Sequence, residues 1–500
     1  MNILTMIKPA VAKLKPYESA RKNAQEGVLL DANENPYGEY SGYPDPYCKK
    51  VRKALSDYLN VEVENIFVGN GSDEIIDLLI RVFCSPEDEI MIFSPSYGMY
   101  EVCAQFNDVE VNRVNLNMEF QIDMEATLQA IKKKTKLIFV CTPNNPTGNC
   151  INEEDIVKLC SRGEEIIIVD EAYIEFANFE SIVRLVDVYS NLVVVRTLSK
   201  GWGAAGLRLG YCVCSKEIQE ILMKVKAPYN VSALNQTEAL KILSNRRSME
   251  YSCKLICLER ERLVFNLKQL GLMVFPSDAN FVLFTLPKAG KIKLKLQDNG
   301  VVVRDRTTDV KNALRVSIGK KEDNDKFLGL LKNELLKVAF IDRDGVVLFE
   351  PKDDFQVDSL EKYRLLPGVV EGLGILRDCG YKLVMVSNQN GIGSPSFPEK
   401  SFLIPQNQMI EDLATEGIRF DEIFICPHFA SANCKCRKPR TGLVSDYLDE
   451  NPINYLKSFM VGDRETDMQF AENIEVRGIK AVNNGDSLLQ FAKQIQNEKS

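Results

Sequence analysis

The sequence predicts an α/β protein: a large, mostly parallel sheet domain with a small α+β domain, followed by a second, independent α/β sheet unit. Three observations predict it. From about Leu55 to Cys214, short β-branched apolar runs alternate with amphipathic helical stretches, as expected of strands buried on both faces between helices. At Val338 that pattern restarts, with further apolar runs that each end in a polar cluster. The 500 residues, 45% hydrophobic and 26% charged, have ordinary globular composition and suit roughly three units at about 150 residues each.

In chain order, Lys136–Cys141, Glu165–Val169, Leu192–Arg196 and Gly210–Cys214 read as buried strands. Helical periodicity fills Ser232–Ser248 and Cys253–Leu270. Ala279–Leu286, Val301–Arg304 and Leu314–Ile318 read as strands of the smaller α+β domain. A closing helix is expected over Asp325–Lys337, with Phe327, Leu328, Leu331 and Leu335 on one face. Val338–Ile341, Lys382–Val386, Glu422–Cys426 and Ser458–Val461 are the strands of the second sheet. The expected division is therefore residues 1–337 and 338–500, the first with a large domain over about 31–231 and a small one from 1–30 plus 232–337.

Composition excludes several function classes. No run of 18 apolar residues exists, so no spanning helix is expected. Lys8, Lys13 and Lys15 interrupt the apolar stretches at the start, which leaves no secretory core; a cytoplasmic protein is expected. A net charge of −8 argues against general nucleic-acid binding but not against small phosphorylated ligands. Many of the 14 cysteines, such as Cys141, Cys212 and Cys214, lie in strand-like runs and read as buried reduced thiols. His428 is the one histidine, so a mechanism that needs a His pair, a Ser-His-Asp triad or a His-rich metal centre is not expected.

Four motifs carry chemistry in the first unit. Gly69-Asn70-Gly71-Ser72-Asp73-Glu74 opens a helix with apolar Ile75, Leu78, Leu79 and Val82, and such a start offers free N–H groups to a phosphate. Asn144-Asn145-Pro146-Thr147-Gly148 follows a strand, Asp170 and Tyr173 end another, and Thr197-Leu198-Ser199-Lys200 ends a third, with Arg208 beyond it. Singly each is an ordinary turn or cap. In this order they resemble the fold-type I aminotransferases, which use pyridoxal 5′-phosphate. The resemblance implies Lys200 as the amine that condenses with the cofactor aldehyde and shuttles the proton. Asp170 would hold the pyridine nitrogen protonated, Asn145 and Tyr173 would bond the ring hydroxyl, and Tyr97 would stack on the ring. Ser72, Asp73, Thr197, Ser199 and Arg208 would surround the phosphate.

Leu30-Asp31-Ala32-Asn33-Glu34-Asn35-Pro36-Tyr37-Gly38, Tyr43-Pro44-Asp45-Pro46, Leu207-Arg208-Leu209-Gly210-Tyr211 and Ala279-Asn280-Phe281 narrow the resemblance to the histidinol-phosphate aminotransferase family, over residues 7 to 335. It implies a homodimer in which Tyr43 reaches the cofactor phosphate of the neighbouring subunit. It also implies that Tyr17, Arg304 and Arg315 hold the substrate's phosphate or the carboxylate of glutamate, for which planar guanidinium forks are suited. Gly201-Trp202-Gly203-Ala204 departs from the family's Ala-Phe-Gly-Leu.

The second unit opens on Asp342-Arg343-Asp344-Gly345 at a strand end, with two aspartates at i and i+2. Ser387-Asn388, Lys438 and Gly462-Asp463-Arg464-Glu465-Thr466-Asp467 follow in order. This set resembles the haloacid dehalogenase superfamily of phosphatases and their Rossmann-like α/β fold. The resemblance implies that Asp342 attacks phosphorus, and that Asp344 protonates the leaving group and then activates water. Asp342, Asp463 and the main-chain carbonyl of Asp344 would hold Mg²⁺, with Asp467 behind them. Ser387, Asn388 and Lys438 would bind the transferring phosphoryl group. Cys426, His428, Cys434 and Cys436 form Cys-x-His-x5-Cys-x-Cys, a ligand set for closed, structural tetrahedral zinc. With Asp354-Phe355-Gln356-Val357-Asp358, Ser394-Pro395-Ser396-Phe397-Pro398 and Ile425-Cys426-Pro427-His428, it is similar to the histidinol-phosphate phosphatases. In many bacteria that phosphatase is joined to a dehydratase domain, which is not expected here.

Together the resemblances imply consecutive steps of histidine biosynthesis: transamination of imidazole-acetol phosphate with glutamate, then hydrolysis of histidinol phosphate. Two other readings fit the same motifs. One joins an aromatic- or threonine-phosphate-type pyridoxal enzyme to a heptose-bisphosphate phosphatase; the other is a pyridoxal-binding regulator without catalysis.

Overall fold

The computed structural model describes residues 3–15, 28 and 30–497. Tyr17 lies outside the described residues. Two compact units are present: Met1–Val264 with Val274–Phe284 and Val303–Asn324, and Phe265–Met273 with Thr285–Val302 and Asp325–Ser500.

The first unit is built on a seven-stranded sheet. Its strands are β1 (Ile66–Gly69), β2 (Glu89–Ser94), β3 (Glu110–Asn115), β4 (Thr135–Cys141), β5 (Ile166–Asp170), β6 (Leu192–Thr197) and β7 (Gly210–Cys214), in the order β1-β7-β6-β5-β4-β2-β3. All neighbours run parallel except β7, which is antiparallel to β6 and β1. The near-continuous apolar runs follow from this placement, because successive side chains enter opposite layers. Ile138, Val140, Ile167, Val169 and Val194 pack into one core cluster, while Leu137, Phe139, Ile166, Ile168 and Val193 pack into the other. Each such side chain contributes about 1.5–3 kcal/mol by leaving water.

The helix Ser72–Phe83 covers one face with Ile75, Leu78, Leu79 and Val82, all buried. Gly71 precedes it at φ 87°, a conformation open to glycine. Gly210, opening β7, passes so close that a Cβ there would stand 2.3 Å from the Ser72 nitrogen. The turn before the helix and the start of β7 are thereby pressed together beside Arg208.

A four-stranded sheet follows, comprising β8 (Met273–Val274), β9 (Phe281–Thr285), β10 (Arg304–Asp305) and β11 (Ala313–Ser317), in the order β10-β11-β9-β8. The helical stretch expected in two pieces is Ala233–Ser244 and a continuous Arg246–Gln269. The break falls at Asn245, whose backbone (φ −108°, ψ 49°) leaves the helix, and not near residue 250. The closing helix is Lys321–Glu334, displaced toward the N-terminus because Lys337 already belongs to the next strand.

The second sheet contains β12 (Lys337–Ile341), β13 (Tyr381–Asn388), β14 (Glu422–Cys426), β15 (Phe459–Gly462) and β16 (Arg477–Lys480), ordered β14-β13-β12-β15-β16. Every pairing is parallel. Its central strand β12 delivers Asp342 from its carboxyl end, where ligands bind in open parallel sheets. No helix among the described residues is long and apolar enough to cross a membrane.

Candidate active sites

In the first unit, the ten residues assigned to the cofactor other than Tyr43 line one cavity, with Cys141 and Ala172. They come from strand ends: Asp170 from β5, Thr197 from β6, and Asn145 just beyond β4. Asp170 is 3% exposed. Its carboxylate accepts hydrogen bonds from the Tyr100 hydroxyl at 2.7 Å and the Ala172 N–H at 3.1 Å. Burial pushes its pKa up to about 6, against the lowering effect of the Tyr100 bond. Tyr100 was not legible as a site residue, and nothing in its spacing marks it.

Also in the lining, Asn145 Nδ2 donates to the Tyr173 hydroxyl at 3.2 Å, and Arg315 donates to Asn145 Oδ1. The Lys200 ammonium faces the Tyr173 ring at 5.6 Å. Burial, reinforced by Arg315, lowers the Lys200 pKa, which eases access to the nucleophilic neutral amine. Arg208 Nη2 meets Asp73 at 3.2 Å, and the Tyr97 hydroxyl donates to Asp73 at 3.1 Å. Thr197 Oγ1 accepts from the Ser199 N–H at 3.1 Å.

These residues fit pyridoxal phosphate. A buried carboxylate and a lysine of lowered pKa both line the cavity. The helix start at Ser72, backed by Arg208, supplies an anion cradle. Tyr43 lies outside this cavity and stacks on Tyr229 with ring centroids 4.5 Å apart. Arg304 and Arg315 pair across β10 and β11; Arg315 reaches Asn145, whereas the Arg304 side chain is exposed.

The family profile described as aminotransferase class I and II matches residues 9–331. The chain belongs to this family. Curated relatives include histidinol-phosphate aminotransferases of Parabacteroides distasonis, 44% identical over 340 residues (66% of this chain, 99% of the relative), and of Cytophaga hutchinsonii, 43% identical over 340 residues (66% and 98%). The crystal structure of the histidinol-phosphate aminotransferase from Clostridium acetobutylicum is similar with a TM-score of 0.55 and 30% identity, covering 60% of this chain and 97% of that one. A second profile, polynucleotide kinase 3 phosphatase, matches residues 337–495. An aminotransferase with its pyridoxal cofactor is thus followed by a phosphatase-like domain.

In that domain, Asp342, Asp463 and Asp467 bring carboxylate oxygens within 4.8 Å of one another. Lys438 is 2% exposed and lies between two of them, 3.0 Å from Asp342 and 2.6 Å from Asp467. Its ammonium also donates to the Val386 carbonyl at 2.7 Å. Burial raises the Asp342 pKa, and Lys438 opposes that rise. Asp463 Oδ2 accepts from Asn483 at 2.6 Å, while its buried Oδ1 has no hydrogen-bond partner. Three clustered carboxylates, two of them paired to one lysine and the third carrying an unpartnered oxygen, fit a hard divalent cation such as Mg²⁺.

Asn388 directs both ends of its amide at the Lys438 main chain, accepting at 2.9 Å and donating at 3.1 Å. Ser387 is buried and accepts from Gln389 at 3.0 Å. The Asp344 carboxylate meets Arg343 and Gln389, and neither partner was among the residues expected at the site. Cys426, His428, Cys434 and Cys436 converge, with sulfur–sulfur and sulfur–Nδ1 separations of 3.2–3.7 Å. Ligands about 2.3 Å from a tetrahedral zinc stand about 3.8 Å apart, so the set fits that metal. The loop carrying it leads directly to Lys438.

Proposed function

We propose that the protein is a bifunctional enzyme of histidine biosynthesis. Its first 337 residues convert imidazole-acetol phosphate and glutamate into histidinol phosphate and 2-oxoglutarate. The remainder, a haloacid dehalogenase-like domain, hydrolyses histidinol phosphate to histidinol and phosphate. The observation that carries the reading is the pairing, in one chain, of this aminotransferase with an acid–lysine cluster at the carboxyl end of a parallel sheet.

Pyridoxal phosphate, when bound, supplies an electron-withdrawing ring that makes the substrate Cα–H acidic. Asp170 would hold the ring nitrogen protonated, and Asn145 with Tyr173 would bond the ring hydroxyl. Lys200 Nζ would take the proton from the substrate Cα and deliver it to the cofactor side of the bound pair. Arg315, with Arg304 and Tyr17, binds the oxyanion of whichever substrate is present, so that phosphate ester and glutamate are accepted in turn. Tyr43 completes the phosphate site of a second subunit in a cytoplasmic homodimer.

In the second domain, an Asp342 oxygen bonds phosphorus as the ester P–O bond breaks, and Asp344 gives the leaving oxygen its proton. Asp344 then takes a proton from water, which displaces Asp342. Lys438 and Ser387 orient the phosphoryl oxygens. Asp342, Asp463 and the Asp344 carbonyl would hold Mg²⁺, with Asp467 supporting them, and the zinc loop would stiffen the segment that carries Lys438. Mass spectrometry after supplying imidazole-acetol phosphate, glutamate, pyridoxal phosphate and Mg²⁺ tests the reading. Histidinol is expected; histidinol phosphate as the end product would refute the second activity, and unreacted substrate the first.

A further inference from the structure

Arg343, between the two aspartates of the phosphatase-like site, is 0% exposed. A guanidinium so buried must be hydrogen-bonded, and each of its three nitrogens is. Its Nε and Nη2 donate to the two carboxylate oxygens of Asp344 at 2.9 and 3.3 Å. Nη1 donates to Gln406 Oε1 and Nη2 to Gln389 Oε1, each at 3.1 Å. The cation also lies over the Phe402 ring, 4.9 Å from its centroid. Gln389 closes the circuit, with its Nε2 donating to Asp344 Oδ2 at 2.5 Å. Gln406 and Phe402 belong to the helix Glu399–Thr415, so the clasp on Asp344 is anchored in regular structure.

We infer that Arg343 is a positioning residue: braced by Gln406 and Gln389, it fixes the Asp344 carboxyl where the leaving oxygen of a phosphate ester must meet it. This rests on the phosphatase reading above. An Asp342 oxygen forms its bond to phosphorus while the ester P–O bond breaks, and the departing oxygen keeps that bond's electron pair. The oxygen is neutralised by the proton of Asp344. Proton transfer at that moment depends on placement, and a misplacement of about 1 Å can cost about 100-fold. Arg343 donates to both Asp344 oxygens and Gln389 to one of them, so rotation of the carboxyl is resisted by a fork and not by a single bond.

A structural arginine and a positioning one are separated by the leaving group. The alkoxide of histidinol phosphate needs a proton to depart, whereas p-nitrophenolate leaves as a stable anion. The value of kcat/KM covers steps up to release of that group, before water attacks. In the full chain with Mg²⁺, Arg343→Gln is expected to lower kcat/KM on histidinol phosphate by about 100-fold. On p-nitrophenyl phosphate the expected fall is less than about fivefold. Arg343→Lys, able to reach one carboxylate oxygen, should recover part of the loss on histidinol phosphate alone. Gln406→Leu weakens the brace without touching Asp344 and should give a smaller fall of the same selectivity; it decides the matter if Arg343→Gln does not fold. Equal losses on both esters, or no loss on either, overturn the inference while wild-type turnover leaves the phosphatase reading standing. A wild-type chain that turns over neither ester overturns that reading and the inference with it.

Discussion

Glu175→Gln should remove a pH dependence of stability from the aminotransferase unit. Glu175 lies in the short helix Ile174–Phe176 just after β5, with both carboxylate oxygens buried and lacking hydrogen-bond partners. The nearby Arg196 is bonded to Glu171 at 2.9 Å. Burial pushes the Glu175 pKa from 4.5 up to about 7, with Arg196 opposing the rise. Because the folded value lies above the unfolded one, the folded state holds the proton more tightly. That stability is fully present below about pH 4.5 and is lost as pH rises through about 7. The gap converts, at about 1.4 kcal/mol per pH unit, to about 3 kcal/mol in all, of which about 2 kcal/mol is lost between about pH 5.5 and 8. Trp202, the one tryptophan of the chain, is buried and packs edge-on against Tyr58 at 5.1 Å, so its fluorescence reports unfolding of this unit. Urea titrations at the two pH values should show the variant gaining about 2 kcal/mol on the wild type from the lower pH to the higher. Parallel pH dependences in the two proteins would refute the reasoning.

Tyr100→Phe removes the hydroxyl that donates to Asp170 and lowers its pKa. The variant's Asp170 should therefore protonate at higher pH, and pyridoxal phosphate affinity, measured by absorbance titration, should begin to fall above the wild type's limb near pH 6. An unmoved acid limb would contradict this. Cys434→Ser should abolish stoichiometric zinc and lower phosphate release about 10-fold or more, with transamination unchanged; metal analysis beside both assays checks it. Lys200→Ala should eliminate 2-oxoglutarate formation while phosphate release from added histidinol phosphate persists. Loss of both activities would mean that the two units do not act independently.

Fold and site were legible to different depths. β4, β5, β6 and β7 were readable because they lie inside the sheet, where both faces demand apolar side chains. β3 and β16 were not: they are sheet edges with largely exposed, charged sequences, Glu110-Val111-Asn112-Arg113 and Arg477-Gly478-Ile479-Lys480. Residues placed at strand ends by a motif, such as Asp170, Lys200 and Asp342, could be read because the chemistry travels with local sequence. Tyr100 could not, since it meets Asp170 across 70 positions. The Arg343 clasp draws on Gln389 and Gln406, 46 and 63 positions away. Such partners are selected by the packing of helices on the sheet, and no local spacing announces them.

The central claim is that one chain performs two successive reactions with separate machinery. It is tested most directly by measuring 2-oxoglutarate and inorganic phosphate together in Asp342→Asn supplied with imidazole-acetol phosphate and glutamate. The account predicts 2-oxoglutarate at the wild-type rate, no phosphate, and accumulation of histidinol phosphate in equal amount. Phosphate released as in the wild type, or 2-oxoglutarate lost along with it, would contradict it.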